Sequence, residues 1–551
     1  MEADGTHSRR TFLKAAGATV ATVSVAGCTG SPNDTGSNSG DGPSGTLTYS
    51  RGAGNSTLDF HITTSGEDVK VTNQIYDKLV DFKPGQNQIT GSLATEYNLN
   101  GTTASLTLRE GVKFHNGDEF TAQDFEATYR RLADPEYDYY IGEKNVSSYA
   151  NITFGQVESV SVVGDYELEI ESTKKFAPFF RNLAIFAGGV LPKSEIESGT
   201  DFSTTAIGTG PFTLDQYEQN GRRIRLTANE NYWNDGPEVK RVIFDATDEN
   251  STRVSQLLNN EAHIIDGIDP EGVDRIKNND GVSIQQKVGL NVGYLALNME
   301  RMEPFREKAV RQAMNYAVNT KVIVEEIFSG LATQSSQPIP ESVMGYNENI
   351  DPYPHDPQKA KTLLEEAGYG GGFDLELAVF KNPRPYIPSP VQTAEQVSSD
   401  LTTIGINAEI NQMSWEPYLE YTQTGKHDAC FLGWNTDNGD PDNFYYSLLH
   451  PAVESPDGQD WVSFDTDGYQ TTNASGWANE EFMSSVEEAR TITDSVQTRE
   501  GLYKEVGKLA HDEAPWVFLD HTNVLRGVSD SVSGFNTSAV GGPFLRTVSV
   551  E

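Results

Sequence analysis

The sequence predicts an α/β protein built as at least two lobes, and two observations carry that expectation. At 551 residues the chain exceeds what one hydrophobic core organises. Along it, segments with two-residue apolar alternation interleave with segments of helical spacing to about residue 510, the pattern of an α/β body. No repeat of fixed period runs through it.

The first 45 residues read as export and attachment. "SRRTFLKAAGATVATVSVAGC" has Arg9 and Arg10, then Phe12, Leu13 and Lys14, then an apolar run to Cys28. Roughly 14 small and apolar residues are too few to span a bilayer, and the flanks are those of an export signal. The segment 1–28 resembles a twin-arginine lipoprotein signal of the haloarchaeal type, with Cys28 of "VAGC" as the lipid anchor. Residues 29–45, rich in Gly, Ser, Pro, Asn and Asp, are expected to form a flexible tether reaching roughly 20 to 25 Å. No later segment is long and apolar enough to cross a bilayer.

The body opens on "GTLTYSRGA", which alternates as a strand. "ASLTLREGVKFHNGDEFTAQDFEATYRRLAD" reads as strand, turn and helix, with Thr121 as N-cap, Asp124 completing a capping box, and Phe120 and Phe125 in staple positions. "VESVSVVGDYELEIES" predicts a hairpin with Gly164 and Asp165 in its turn. In "IGTGPFTLDQY" Thr213 stands where a dinucleotide fingerprint needs a glycine, so Gly208 and Gly210 are expected in a backbone turn. "GLNVGYLALNM" predicts a strand, and "PFREKAVRQAMNYAVNTKVIVEEIFSG" one helix stopped by Gly330. "DPQKAKTLLEEAG" carries Asp356 as N-cap, Pro357 at the first helical position and Gly368 as stop.

Composition narrows the function. The formal net charge is −39, with 80 acidic against 41 basic residues. Self-repulsion of that size is tolerable where salt shortens the Debye length to about 3 Å, so the acidity reads as adaptation to high salt. No basic face is expected for nucleic acid. Of two cysteines, one is the expected anchor; the other, Cys430, reads as a small buried strand residue without a disulfide.

"LREGVKFHNGDEFTAQDF", "IGTGPFTLDQY", "ANENYWNDGP", "GLNVGYLALN", "VRQAMNYAVN", "PRPYIPSP" and "LGWNTDNGDPDNF" occur in this order across the body. Together they resemble the family 5 extracellular solute-binding proteins of ABC importers, most closely the dipeptide-carrying members. The resemblance implies a two-lobed, periplasmic-binding-protein-like α/β fold of type II, of the large class C kind, with a hinge and a ligand cleft between the lobes. Lobe one is expected over residues 46–290 plus 521–551, and lobe two over 291–520.

The resemblance also implies how a ligand is held. Asp437 is expected to take a peptide ammonium and Arg384 the peptide carboxylate, with further contacts from Trp434, Asn435, Thr436, Pro385, Tyr386 and Thr64. These residue types suit those roles, because a guanidinium fork matches a carboxylate bidentately and a carboxylate–ammonium pair strengthens as closing lobes expel water. Asp440 and Asp442 read instead as turn or cap residues. The implied partners are a short peptide, an ABC permease complex in the membrane, and the membrane itself through Cys28; the chain is expected to be a monomer without cofactor or metal.

Three other classes have weaker support. No G-x-S-x-G elbow, H-E-x-x-H pair or P-loop supports a hydrolase or other enzyme. "DNGDPD" offers oxygen ligands but departs from EF-hand spacing, which leaves calcium a minor structural role. A lattice-forming surface protein would fit the acidity and anchor. Within the transport class, oligopeptides, sugars, haem and nickel complexes are the alternative solutes.

Overall fold

The computed structural model describes residues 43–218, 221–456 and 458–551. The expected signal, the expected anchor at Cys28 and all but the last three residues of the expected tether lie outside the described residues.

Two α/β halves share one long strand. Trp516–Ser529 pairs through its first half with Asn291–Leu297, and through its second half with Val282–Val288 and Ile264–Ile265. Beyond Asn291–Leu297 the ladder continues through Ala429–Asn435 to Asp374–Phe380 and Asn407–Met413. Beyond Ile264–Ile265 it continues through Thr46–Arg51, Arg241–Ala246, Arg223–Ala228 and Phe212–Tyr217. The chain therefore passes between halves at residues 288–291 and again at 520–523. These passages bring the C-terminal end of strand Ala429–Asn435 to the junction, since Asn435 pairs with Asn291.

All seven residues of Asn291–Leu297 are buried, so "NVGYLAL" forms an interior strand covered on both faces. Cys430 is a buried free thiol on the neighbouring strand. A separate four-stranded sheet, with Ala94–Asn100, Thr103–Leu108, Glu167–Ser172 and Val157–Gly164 in that order, packs against helix Ala122–Ala133. Its interior is continuous with that around Asn291–Leu297, whereas Thr46–Arg51 and Arg241–Ala246 enclose a second core.

Local signals placed several elements correctly. Asp124 accepts the Thr121 backbone N–H at 2.8 Å, and Phe120 and Phe125 are buried in the same core. Asp356 accepts from the backbone N–H groups of Gln358 and Lys359, and Gly368 turns out of the helix at φ +85°. Gly208 and Gly210 lie against the backbone of Ile75, where an added Cβ would come within 2.1 and 2.6 Å of it.

Two expectations need correction. The hairpin turn is formed by Asp165 and Tyr166, because Gly164 still pairs with Glu167 in the ladder. The single helix expected from Pro304 to Gly330 is interrupted: an α-helix spans Lys308–Ala317, and the chain restarts at Thr320. Asn319 caps the restart by accepting the Val322 N–H, while its own N–H donates to Asp400 at 2.9 Å. A partner 81 residues away thus replaces the intrahelical bond that would have carried the helix through.

Candidate functional site

The segment from Asn435 to Asp442 leaves its strand at the junction and is fastened residue by residue. The Thr436 N–H donates to the Leu290 carbonyl at 2.9 Å. The Thr436 hydroxyl accepts the Gly439 N–H and donates to Asn438 Oδ1, which also accepts the Asp440 N–H. From helix Phe179–Leu183, Asn182 accepts from the Asn438 amide at 2.8 Å and Arg181 donates to the Asn438 carbonyl at 3.0 Å. Gly439 has φ +62°, and a Cβ there would lie 1.9 Å from Asn87 Oδ1, so glycine is required.

Within this fastened turn the three aspartates divide. Asp440 is fully buried; burial alone would raise its pKa, but the Arg499 guanidinium, bound bidentately at 2.7 and 2.9 Å, and Arg181 at 3.8 Å hold it below the usual carboxylate range. Its Oδ1 also accepts the Asp442 N–H at 2.9 Å, so it serves the turn as expected and an ion pair besides. Asp442 pairs with Arg490 at 2.8 Å, with burial pushing its pKa up to about 6. With both carboxylates engaged by arginines, "DNGDPD" does not offer calcium a free oxygen cage.

Asp437 differs from both. It makes no hydrogen bond or ion pair among the described residues, and burial pushes its pKa from 3.8 up to about 7. Its half-buried side chain lines a cavity of about 320 Å³ at the junction. Thr64, Asn435 and Thr436 line the same space. The wall also holds Lys70, on helix Gly66–Thr72, and Arg526, on the shared strand. Tyr149 stands near Asp437; burial first, and the Asp437 charge second, push its phenol up to about 12.

The remaining expected contacts lie outside this cavity's lining. Trp434 is half-buried, its indole N–H donating to Asn443 Oδ1 at 2.8 Å. Arg384 and Ile387 exchange backbone hydrogen bonds of 3.1 Å, closing the "RPYI" turn. The Arg384 guanidinium lies over the Trp415 ring at 3.6 Å and makes no ion pair among the described residues. Pro385 is exposed, and its carbonyl accepts the Thr522 hydroxyl at 2.5 Å. Tyr386 is a correction: its ring is buried against Gly433 and Phe380 and does not line the cavity, because the missing side chain at Gly433 gives the ring room to pack on the strand. That packing sets the Arg384 turn against Gly433 of strand Ala429–Asn435.

Sequence reading missed Lys70, Tyr149 and Arg526. None sits in a distinctive motif; only the fold gathers them, and a basic residue within an alternating strand such as "NVLRGVS" carries no local mark.

Two α/β halves joined by two passages, with an unpaired acid at their junction, have the architecture of a protein that closes over a solute. The comparisons agree. The chain belongs to the family 5 extracellular solute-binding proteins: the family model described as "Bacterial extracellular solute-binding proteins, family 5 Middle" matches residues 88–455. Among relatives, the dipeptide-binding protein of Escherichia coli (strain K12) is 31% identical over 493 residues, covering 87% of this chain and 89% of that protein. Among solved structures, HbpA2 from Haemophilus parasuis superposes with a TM-score of 0.83 at 28% identity, covering 92% of this chain and all (100%) of the other. The Helicobacter pylori protein DppA, described as ABC transporter-associated and in complex with peptide STSA, gives 0.73 at 28% identity over 93% and 99% of the two chains. Among the described residues, no helix is long and apolar enough to cross a membrane.

Proposed function

We propose that this protein captures dipeptides or short peptides with free termini outside the cell and delivers them to an ABC permease in the membrane. The observation that carries this reading is Asp437, a carboxylate without a partner facing a cavity at the junction of the two halves. A desolvated, unpaired acid is unfavourable until an ammonium occupies the site, so ligand and closure stabilise each other. Arg384 receives the peptide carboxylate as the halves close; its guanidinium, stacked on Trp415 and without an ion pair among the described residues, supports that role. Asn435, Thr436 and Thr64 line the peptide, Trp434 braces the segment, and Pro385 and Tyr386 position the arginine.

The relatives support the solute class, since proteins described as dipeptide-binding or in complex with a peptide share this chain's length and fold. The two passages at 288–291 and 520–523 favour lobes of 46–290 plus 521–551 and of 291–520. The protein acts as a monomeric binding protein without catalytic chemistry, tethered through Cys28 to the outer face of a membrane in a saline environment.

Calorimetry in molar salt tests the reading with free, N-acetylated and C-amidated dipeptides. Free peptides are expected to bind with micromolar affinity, about −8 kcal/mol at 1 μM. Acetylation should abolish binding through Asp437, and R384A should remove discrimination between acid and amide C-termini. Equal binding of blocked and free peptides refutes the assignment.

A further inference from the structure

We propose that Arg526 is a specificity residue, selecting peptides that carry a carboxylate side chain. This rests on the peptide-capture reading, in which Asp437 and Arg384 are taken up by the peptide's two ends. Arg526 remains as a third charge in the same cavity, with no terminus left to pair with it.

The surrounding charges show why Arg526 is the open one. Lys70 shares the wall, but its ammonium is held by Asp266 at 2.5 Å and Glu67 at 2.7 Å. Arg51 lies behind, fully buried, donating to the Glu67 carbonyl at 2.6 Å and 3.8 Å from the Glu67 carboxylate. The Arg253 guanidinium is occupied by backbone carbonyls of Thr247, Asp248, Asp266 and Gly267. Arg526 has no carboxylate within 4.0 Å among the described residues; the charges of Asp266 and Glu67 act on it from beyond that distance and leave its fork without a carboxylate hydrogen bond. One of its N–H groups donates to the Leu525 carbonyl at 2.7 Å, and it bonds to the hydroxyl of Tyr49, which itself donates to Asp266 at 3.1 Å.

A guanidinium has five N–H donors in a fixed fork, so two neutral acceptors leave most of that fork unused. The Tyr49 hydroxyl and the strand backbone fix the group at the wall, as a preorganised recognition site requires. The matching ligand group is a planar anion, which a peptide presents as an Asp or Glu side chain. A neutral amide of the same shape brings oxygen but no charge, and a lysine side chain meets Arg526 and Lys70 as a like charge. The cavity therefore sorts peptides by side-chain charge as well as by their termini.

The test is calorimetry on the full protein in molar salt with Ala-Ala, Glu-Ala, Gln-Ala, Ala-Glu and Ala-Gln. At least one glutamyl peptide is expected to bind about tenfold more tightly than its glutaminyl isostere, the lower range for a charge-assisted hydrogen bond. R526Q should bring that ratio to about one, while R526K, which keeps the charge without the fork, should retain part of it. Thermal unfolding of both variants checks that the strand is intact. Should the glutamyl and glutaminyl peptides bind equally in both orders while Ala-Ala binds, the inference fails and peptide capture stands. A preference that survives in R526Q also overturns it. If no free peptide of the panel binds, the capture reading fails first, and this proposal with it.

Discussion

Replacing Asp437 by asparagine is expected to strengthen the empty protein while removing its grip on an ammonium. Burial raises the Asp437 carboxyl from 3.8 to about 7. The unfolded chain releases this proton near pH 4 and the folded chain holds it to about 7, so between those values the folded state binds more protons. Stability from this group is present below pH 4 and is lost as pH rises through 7. At about 1.36 kcal/mol per pH unit the full difference is about 4 kcal/mol, and screening at the half-buried side chain reduces it to roughly 1 to 2 kcal/mol. D437N should therefore unfold at higher denaturant than the wild type at pH 8, with the gap closing toward pH 4. Binding shows the opposite trend. The ionised fraction is about one half at pH 7 and about 1% at pH 5, so wild-type affinity for a free dipeptide should fall about a hundredfold across pH 8 to 5. D437N should lose about 2 to 5 kcal/mol of binding at pH 8, the cost of leaving a desolvated ammonium unpaired. Denaturant titrations and calorimetry across this range measure both. Affinity independent of pH in the wild type, together with unchanged affinity in D437N, would refute the ammonium role.

The other expectations concern the frame of the site. R499M leaves Asp440 without its bidentate partner in a dry interior and should cost about 3 to 5 kcal/mol in denaturant unfolding; R499M combined with D440N should recover most of that loss. G433A would set a Cβ 2.2 Å from the Tyr386 ring, so it should lower stability by about 1 to 3 kcal/mol and weaken preference for a free peptide carboxylate, read by unfolding and calorimetry. D356A removes a cap from helix Pro357–Glu366 and should cost about 1 kcal/mol with peptide affinity unchanged.

What was legible in the sequence was local. The Thr121 and Asp356 caps and the strands at Thr46 and Asn291 are encoded within a few residues, and periodicity or cap chemistry finds them. The helix expected across residues 304–330 misled for the complementary reason: its interruption depends on Asp400, which no window around Asn319 contains. The candidate site divides likewise. The Asn435–Asp437 segment follows directly on a readable strand, and its motif resembles a family pattern. Arg526 comes to the cavity only because the shared strand crosses from one half to the other. Arg499 reaches Asp440 across 59 residues.

The separation of roles among Asp437, Asp440 and Asp442 links the fold to function. Three neighbouring carboxylates cannot all be buried as charges without compensation, and the structure compensates two with arginines from other elements. Those pairs lie in a dry interior, where molar salt screens them little, so they can hold the turn in a saline medium. Because Asn182 and Arg181 bind Asn438, and Asn87 binds the Gly439 carbonyl, the turn is also fixed against helix Phe179–Leu183 and the loop at Asn87. Asp437 is thereby presented to the cavity by a rigid segment whose own charges are already satisfied. If Asp437 were paired as its neighbours are, an incoming ammonium would have to displace an internal cation and would gain little. Leaving this one acid unpaired raises its pKa and weakens the empty protein, and on the proposed reading the same cost is what an ammonium ligand relieves.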